Sequence, residues 1–478
     1  MKRILIANRG EIALRILRTC REMGIDTVAI YSEADADSLP VQLAGKAVCI
    51  GRAKALESYL NRDAILTVAK ATGCDGVHPG YGFLAENADF ADACAQAGLV
   101  FIGPSGNAMR KAGDKAAAKS LMRAAGVPVT PGSDGPVKTA EDALAVAKQV
   151  GYPVLLKACA GGGGRGIRRC DKKEALPAAW AEAKAEAAAC FGDDTMYLEK
   201  LVEEPRHIEV QILADRFGNV LYLGDRDCSV QRRNQKLLEE APAWNIREDV
   251  RKRMGEAAVR AANAVGYENA GTVEFLLDRD GEHFYFMEMN TRIQVEHGIT
   301  ELVCGIDLVR EQIRIASGLA LKKRQEEIQV AGHAIECRIN AEDPGRGFMP
   351  CPGRVEFCHM PGGMGVRVDS ALYRGLVLSP WYDSLVAKIM VHAPTRLLAI
   401  RKLRRCLEEF MLEGVGTNVE LAYQILHHPS FVRGSYSTAF MEEALPGLLE
   451  FSRRVDSMAK EYGEPGAELF GFRHEVSE

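Results

Sequence analysis

The segment 271–297 limits what this chain can fold into more than any other stretch. Two apolar runs flank Asp278-Arg279-Asp280-Gly281, a turn signal between strand-like segments, and predict a β-hairpin. With the register centred on Gly281, Glu274 and Glu288 stand directly opposite each other on one face. Cross-strand carboxylates repel, so the pair works against stability unless something neutralises it. A hard cation such as Mg²⁺ does so by taking oxygen ligands from both. Beyond Glu288, the even-numbered positions Asn290, Arg292, Gln294 and Glu296 stay polar and share that face while the chain remains extended. A solvated sheet face also alternates in this way. Asn, Arg, Gln and Glu in line with a carboxylate pair point instead to a site.

At 478 residues the chain exceeds one core and fits about three domains of roughly 150 residues each. Its 47% hydrophobic and 26% charged residues are ordinary for a globular protein, and a formal net charge of −5 gives no sign of a nucleic-acid surface. No apolar run is long enough to span a bilayer, and Met1-Lys-Arg leads directly into a strand, so the expected location is cytoplasmic, away from any membrane. The 13 cysteines form no Cys-x-x-Cys pair and no Cys/His set at zinc spacing, which reads as reduced, buried thiols.

Short apolar strands recur at 3–7, 27–31, 47–50, 76–79 and 99–103, with helical patterns between several of them. That alternation predicts a parallel, doubly wound, Rossmann-like sheet. Asn8-Arg9-Gly10-Glu11-Ile12-Ala13 lacks the G-x-G-x-x-G fingerprint, which argues against an NAD or FAD site. Residues 78–87 form a turn-rich loop at the C-terminal end of a strand, either a ligand-binding loop or a structural cap for the next helix. A helical connection over 109–125 follows.

Tyr152-Pro-Val-Leu-Leu-Lys157 is a strand, Ile167-Arg-Arg-Cys170 can return as a second, and Ala158-Cys-Ala-Gly-Gly-Gly-Gly-Arg-Gly166 lies between them. Glycine-rich backbone held between strands can fold its N–H groups over phosphate oxygens, so a mobile lid is favoured over a linker. It is not a Walker A loop, because Lys157 precedes the glycines. A strand at 195–202 and a hairpin of 207–213 with 220–224 come next, then a dense polar loop over 225–236, a solvated surface if isolated and an anion pocket if it lies beside a carboxylate-metal site. An amphipathic helix over 305–318, a β-rich segment over 333–391, and helices over 396–410 and 419–427 complete the pattern.

In order, the chain carries Ala7-Asn-Arg-Gly-Glu-Ile-Ala13, His78-Pro-Gly-Tyr-Gly82, Lys115, Lys157 with its glycine run, Glu199-Lys200, Arg206-His207-Ile-Glu209, Lys236, the Glu274/Glu288 pair, Asn290-Thr-Arg-Ile-Gln-Val-Glu-His297 and Glu336-Cys-Arg-Ile-Asn-Ala-Glu-Asp-Pro344. From about residue 1 to about residue 445 it resembles the biotin carboxylases of the ATP-grasp superfamily. The resemblance implies an α/β and α+β fold. Its parts are a Rossmann-like N-terminal domain (1–102), a helical linker (103–129), an ATP-grasp lid subdomain (130–202), an ATP-grasp core with a C-terminal mixed sheet and helical domain (203–446), and an extension (447–478). It also implies an ATP-dependent ligase. Bicarbonate attacks the γ-phosphate of ATP, bound with Mg²⁺ or Mn²⁺, to give carboxyphosphate, and the carboxyl group then passes to N1′ of biotin.

By the same resemblance, Lys115 and Lys157 contact nucleotide phosphates, assisted by His207, Gly162, Gly163, Gly164 and Gly166. Glu199 and the backbone near Leu201 hold adenine, while Lys200, Gln231, Asn234 and Leu276 belong to the nucleotide site. Glu274, Glu288 and Asn290 gather the metal ion. Lys236 and Arg292 bind bicarbonate, Gln294 and the Val295 backbone orient it, Glu296 removes its proton, and Arg338 stabilises the biotin enolate.

The chain departs from the family's usual pattern in a few places. Asn234 stands where His is frequent, Cys159-Ala160 where Ser-Gly is common, and Gly298 where Pro is frequent, which predicts a looser chain after His297. No Ala-Met-Lys-Met biotinylation motif occurs, so biotin is expected on a separate biotin carboxyl carrier protein and the carboxyltransferase on another chain. A homodimer is the expected assembly, and the extension is expected to dock a partner. Another ATP-grasp ligase would share the lid and metal pair, but would not be expected to carry Arg292, Gln294, Glu296 and Arg338 together. A catalytically silent scaffold would need none of them.

Overall fold

The computed structural model describes residues 1–159 and 166–462. Strands β1 (Arg3–Ile6), β2 (Asp26–Ser32), β3 (Lys46–Gly51), β4 (Gly76–His78) and β5 (Val100–Phe101) form an all-parallel sheet in the order β3-β2-β1-β4-β5. The order reverses at β1/β4, which opens a crevice beyond their C-terminal ends. Asn8 Nδ2 spans that crevice, donating to the carbonyls of Pro79 at 2.6 Å and Tyr81 at 2.7 Å. The structural reading of the 78–87 loop, a cap for the next helix, holds. Asn87 caps the helix Ala88–Gln96, while Glu86 accepts from the Thr291 N–H at 3.1 Å and from Arg292 Nε at 2.9 Å.

A small antiparallel sheet follows, built from β6 (Val154–Ala158), β7 (Ile167–Cys170) and β8 (Met196–Lys200) in the order β7-β6-β8. Helices Ala140–Val150 and Leu176–Phe191 cover it, burying Val154, Leu156, Met196 and Leu198. Lys157 pairs with Ile167, so the glycine run leaves and re-enters at one end of this sheet. Next come β9 (Arg206–Ala214), β10 (Val220–Arg232), β11 (Gln235–Ala241), β12 (Asn269–Leu277), β13 (Phe284–Asn290) and β14 (His333–Asn340). They join Leu385–Ala393 and Val366–Ser370 in one eight-stranded sheet, ordered β13-β12-β9-β10-β11-β14 and then those two strands.

The polar run 225–236 is not the loop its composition predicts. β10 continues through it to Arg232, turns at Arg233-Asn234, and returns as β11. Both turn residues have positive φ, 48° and 66°. Charge density misleads here because the charges are paired, Arg226 with Glu209 and Asp227 with Arg206 within the sheet, and Asp225 with Arg251 of the helix Glu248–Val265 packed on it. At the C-terminal end a single helix, Phe440–Tyr462, runs across the expected boundary at 446/447, with Pro446 inside it.

Candidate functional site

β12 and β13 place Glu274 opposite Glu288, but not through a register centred on Gly281. Near the turn Leu277 faces Phe284 and Phe275 faces Phe286, which centres the pairing between Asp280 and Gly281. Continued unchanged, that register would set Met287 against Glu274. A β-bulge intervenes, adding one residue to β13, so that Glu288 becomes the partner of Glu274. Phe275, Phe284 and Phe286 anchor the hairpin in the core, and past the bulge both Met287 and Glu288 line the cavity. The polar line beyond Glu288 is also not one continuous strand. β13 ends at Asn290, and Glu296 stands at the N-terminus of the helix His297–Cys304. Gly298 lies in the first turn of that helix. A Cβ there would sit 2.2 Å from Met390 Sδ, so the absence of a side chain permits close packing.

The cavity above the hairpin has a volume of about 1070 Å³ and is walled by all three parts of the chain. Arg9 and Tyr81 come from the N-terminal part, Lys157 and Glu199 from the small sheet, and His207, Lys236, Glu274 and Arg338 from the large one. Gln231, Asn234, Leu276, Glu288, Asn290, Arg292, Gln294 and Val295 line it too. Lys200 and Leu201 do not. Lys200 Nζ donates to the Tyr152 carbonyl at 2.7 Å and the Leu201 N–H to that of Pro153 at 3.0 Å, so both secure the end of β8. Gly166, at φ +71°, closes the glycine run by accepting from the Ala158 N–H. Gly162, Gly163, Gly164 and the side chain of Lys115 lie outside the described residues.

Below the cavity the charges form one chain. Lys236 Nζ donates to Glu296 Oε1 at 2.6 Å and Glu209 Oε2 at 2.8 Å, and lies 3.4 Å from Glu274 Oε1. Arg338 Nη2 holds the other Glu296 oxygen at 2.8 Å and its Nε donates to Glu239 at 2.6 Å. Burial opposes the charge on Glu296, but Lys236, Arg338 and Arg226 outweigh it and hold the carboxyl well below the ordinary carboxylate range. Burial likewise opposes the Lys236 ammonium, and the surrounding carboxylates keep its pKa well above the usual lysine value. Glu274 is depressed in the same way, against burial, by Lys236 and by His207, whose Nε2 lies 2.9 Å from it. Asn290 Nδ2 also donates to Glu274, at 2.7 Å.

The donor set suits Mg²⁺ or Mn²⁺, because paired carboxylate oxygens are hard ligands. Two other trios, His207/Glu209/Glu274 and Glu209/Cys228/Glu296, bring their ligand atoms within 4.8 Å of one another but are less suited, since Lys236 and Arg226 already bridge their carboxylates.

Sequence reasoning missed several members. Arg226 is fully buried and donates to Glu209 at 2.5 Å, Gln211 at 2.8 Å and Thr300 at 2.7 Å. Lys119 and Lys157 both bind Glu199, the latter at 2.8 Å. Lys388 Nζ donates to the Val295 carbonyl at 2.7 Å and so fixes the loop before Glu296. Its signal was a lone lysine within the apolar strand Leu385–Ala393.

Residues 1–109 match the family described as Biotin carboxylase, N-terminal domain, residues 114–324 the Carbamoyl-phosphate synthase L chain, ATP binding domain, and residues 336–443 the Biotin carboxylase C-terminal domain. Biotin carboxylase 1 of Bacillus subtilis is 52% identical over 442 residues, 92% of this chain and 98% of that one. The chain belongs to the biotin carboxylase family. Among solved biotin carboxylases, the beta-gamma-ATP complex from Campylobacter jejuni aligns with a TM-score of 0.88 at 48% identity, covering 92% of this chain and 98% of the other. The biotin carboxylase domain dimer of Hydrogenobacter thermophilus 2-oxoglutarate carboxylase, with MgADP, ADP and bicarbonate, aligns at 0.87 and 48% identity, covering 94% and 98%. The ATP-grasp fold and ATP-dependent ligase class expected from the motifs are borne out by these family matches. Among the described residues no helix is long and apolar enough to cross a membrane.

Proposed function

We propose that the chain carboxylates biotin carried on a separate carrier protein, consuming ATP and bicarbonate through carboxyphosphate, as the first half-reaction of an acyl-CoA or 2-oxo-acid carboxylase. One observation carries the proposal. A buried carboxylate, Glu296, is clamped between Lys236 and Arg338 beside the Glu274/Glu288 pair. That arrangement sets two anion-binding cations and hard-metal ligands around one cavity, with Glu296, a proton acceptor, buried behind Lys236 and Arg338 rather than in the cavity wall. The bicarbonate, MgADP and beta-gamma-ATP present in the two solved relatives support it.

Mg²⁺ or Mn²⁺, held by Glu274, Glu288 and Asn290, would neutralise phosphate charge. Lys115 and Lys157 contact the phosphates with the help of His207 and the glycine run, and Glu199 faces the adenine. Lys236 and Arg292 receive bicarbonate, and Gln294 and the Val295 backbone orient it. Binding then exchanges one ion pair for another, because Lys236 is engaged by Glu296 beforehand at 2.6 Å. As Lys236 turns toward the substrate, Glu296 loses a stabilising cation and gains proton affinity while it faces the acidic O–H. Arg338 then presents its fixed guanidinium to the biotin enolate, a contribution of roughly 3 to 4 kcal/mol by analogy with an oxyanion-hole donor.

A homodimer working in the cytoplasm with a carrier protein and a carboxyltransferase is the assembly we infer, supported by the dimeric 2-oxoglutarate carboxylase domain. ATP hydrolysis measured with bicarbonate, with and without free biotin, tests the reaction. Stimulation by biotin is expected, and its absence sinks the proposal.

A further inference from the structure

Glu239 on β11 and Glu336 on β14 are direct partners in the antiparallel register, with Arg338 two residues along β14. Their exposures are 1% and 0%. Opposed carboxylates repel, and a dry interior strengthens that repulsion. Arg338 Nε satisfies Glu239 Oε1 at 2.6 Å. The other Glu239 oxygen and both oxygens of Glu336 receive no donor from the described residues. The groups facing Glu336 from neighbouring elements are Glu239, Arg338, Lys388, Glu296 and Tyr81, with Glu11, Arg367 and Asp369 next to these. Lys388 spends its ammonium on the Val295 carbonyl at 2.7 Å and on Glu11 at 3.2 Å. Tyr81 donates to Glu11, and Arg367 binds Glu301 and Asp369. Among the described residues, then, every cation near Glu336 is committed to another acceptor.

We propose that Glu336 is a neutral carboxylic acid that donates its O–H to Glu239, and that this shared proton makes it a positioning residue for Arg338. The inference rests on the role proposed above for Arg338. An unpaired buried carboxylate is costly, whereas one proton between the two groups removes the repulsion and supplies a missing donor. Glu239 then remains an anion that grips the guanidinium and aims its other nitrogen at Glu296. Burial pushes the Glu336 carboxyl well above the ordinary range despite Lys388, and pushes Glu239 up to about 7 against the pull of Arg338.

Glu336→Gln keeps a neutral donor that cannot ionise, and Glu336→Leu removes the donor. Infrared spectroscopy of the full-length chain near neutral pH should show a protonated-carboxyl stretch in the wild type that Glu336→Gln lacks. Glu336→Gln should keep biotin-dependent kcat within about threefold and move its alkaline limb to higher pH. Glu336→Leu should lower that kcat roughly 10- to 100-fold without changing KM for ATP. Loss of no carboxyl band in Glu336→Gln, an unmoved alkaline limb, or wild-type kcat in Glu336→Leu would each overturn the proposal. If Glu336→Leu does not fold, the two Glu336→Gln readouts decide. The infrared band needs no turnover, so its failure is distinguishable from failure of the proposed reaction.

Discussion

Glu296 stays charged at 0% exposure because two cations hold it, Lys236 at 2.6 Å and Arg338 at 2.8 Å. Glu296→Ala is expected to lower biotin-dependent turnover by roughly 10²-fold or more while nucleotide affinity stays nearly unchanged. Turnover measured beside nucleotide titration checks this, and parallel loss of both would make Glu296 structural. Arg226 illustrates a buried charge that sequence could not reveal, since its partners Glu209, Gln211, Thr272 and Thr300 are scattered along the chain. Arg226→Ala should cost about 3 to 5 kcal/mol in urea unfolding, because Glu209 loses a buried counterion. Glu240 gives a pH-dependent case. Burial raises its carboxyl, but His333 Nε2 at 2.7 Å and Arg396 Nε at 2.6 Å prevail and hold it at about 2, below the ordinary 4.5. A depressed folded pKa stabilises above the unfolded value and is lost as pH falls toward the folded one. Glu240→Gln should therefore cost roughly 3 kcal/mol near neutrality, with the gap to wild type closing between about pH 4.5 and 2. A gap that does not vary with pH in unfolding titrations would contradict this.

Among the elements, the β12–β13 hairpin was legible because its apolar runs and Asp-Gly turn signal are local. The bulge was not, since a one-residue shift leaves the same residues apolar and polar, and only pairing with β9 and the core fixes where it falls. The 225–236 hairpin was misread for a related reason. Its charges look solvated until Arg206, Glu209 and Arg251 are brought beside them by other elements. Its turn also explains why Asn suits position 234, where φ is +66°. Asn234→Val is expected to lower stability by about 1 to 2 kcal/mol, while Asn234→Gly is tolerated. Thermal unfolding of both variants checks this, and equal stabilities would show that the turn carries no strain preference.

On the scale of the whole molecule, the doubly wound N-terminal sheet was readable from the recurrence of short apolar strands. What composition hid was how the parts meet. Glu86 reaches from the N-terminal loop to Arg292, and Lys388 from a distant strand fixes the Val295 carbonyl, so the loop before Glu296 is held by two segments far from it in sequence. The helix Phe440–Tyr462 joins the core through Leu445 and Leu448, and Ser452 accepts from Gln424 Nε2 at 2.6 Å. If its distal part docks a partner, truncation at Pro446 should abolish complex formation with the carboxyltransferase or carrier, measured by co-sedimentation, and an intact complex would refute that role. The most direct test of the central claim follows radiolabelled bicarbonate onto the biotin of the carrier protein. Label is expected on the carrier only when ATP and Mg²⁺ are present, and not with Glu296→Ala. Transfer without ATP, or no transfer by the wild-type chain, would contradict it.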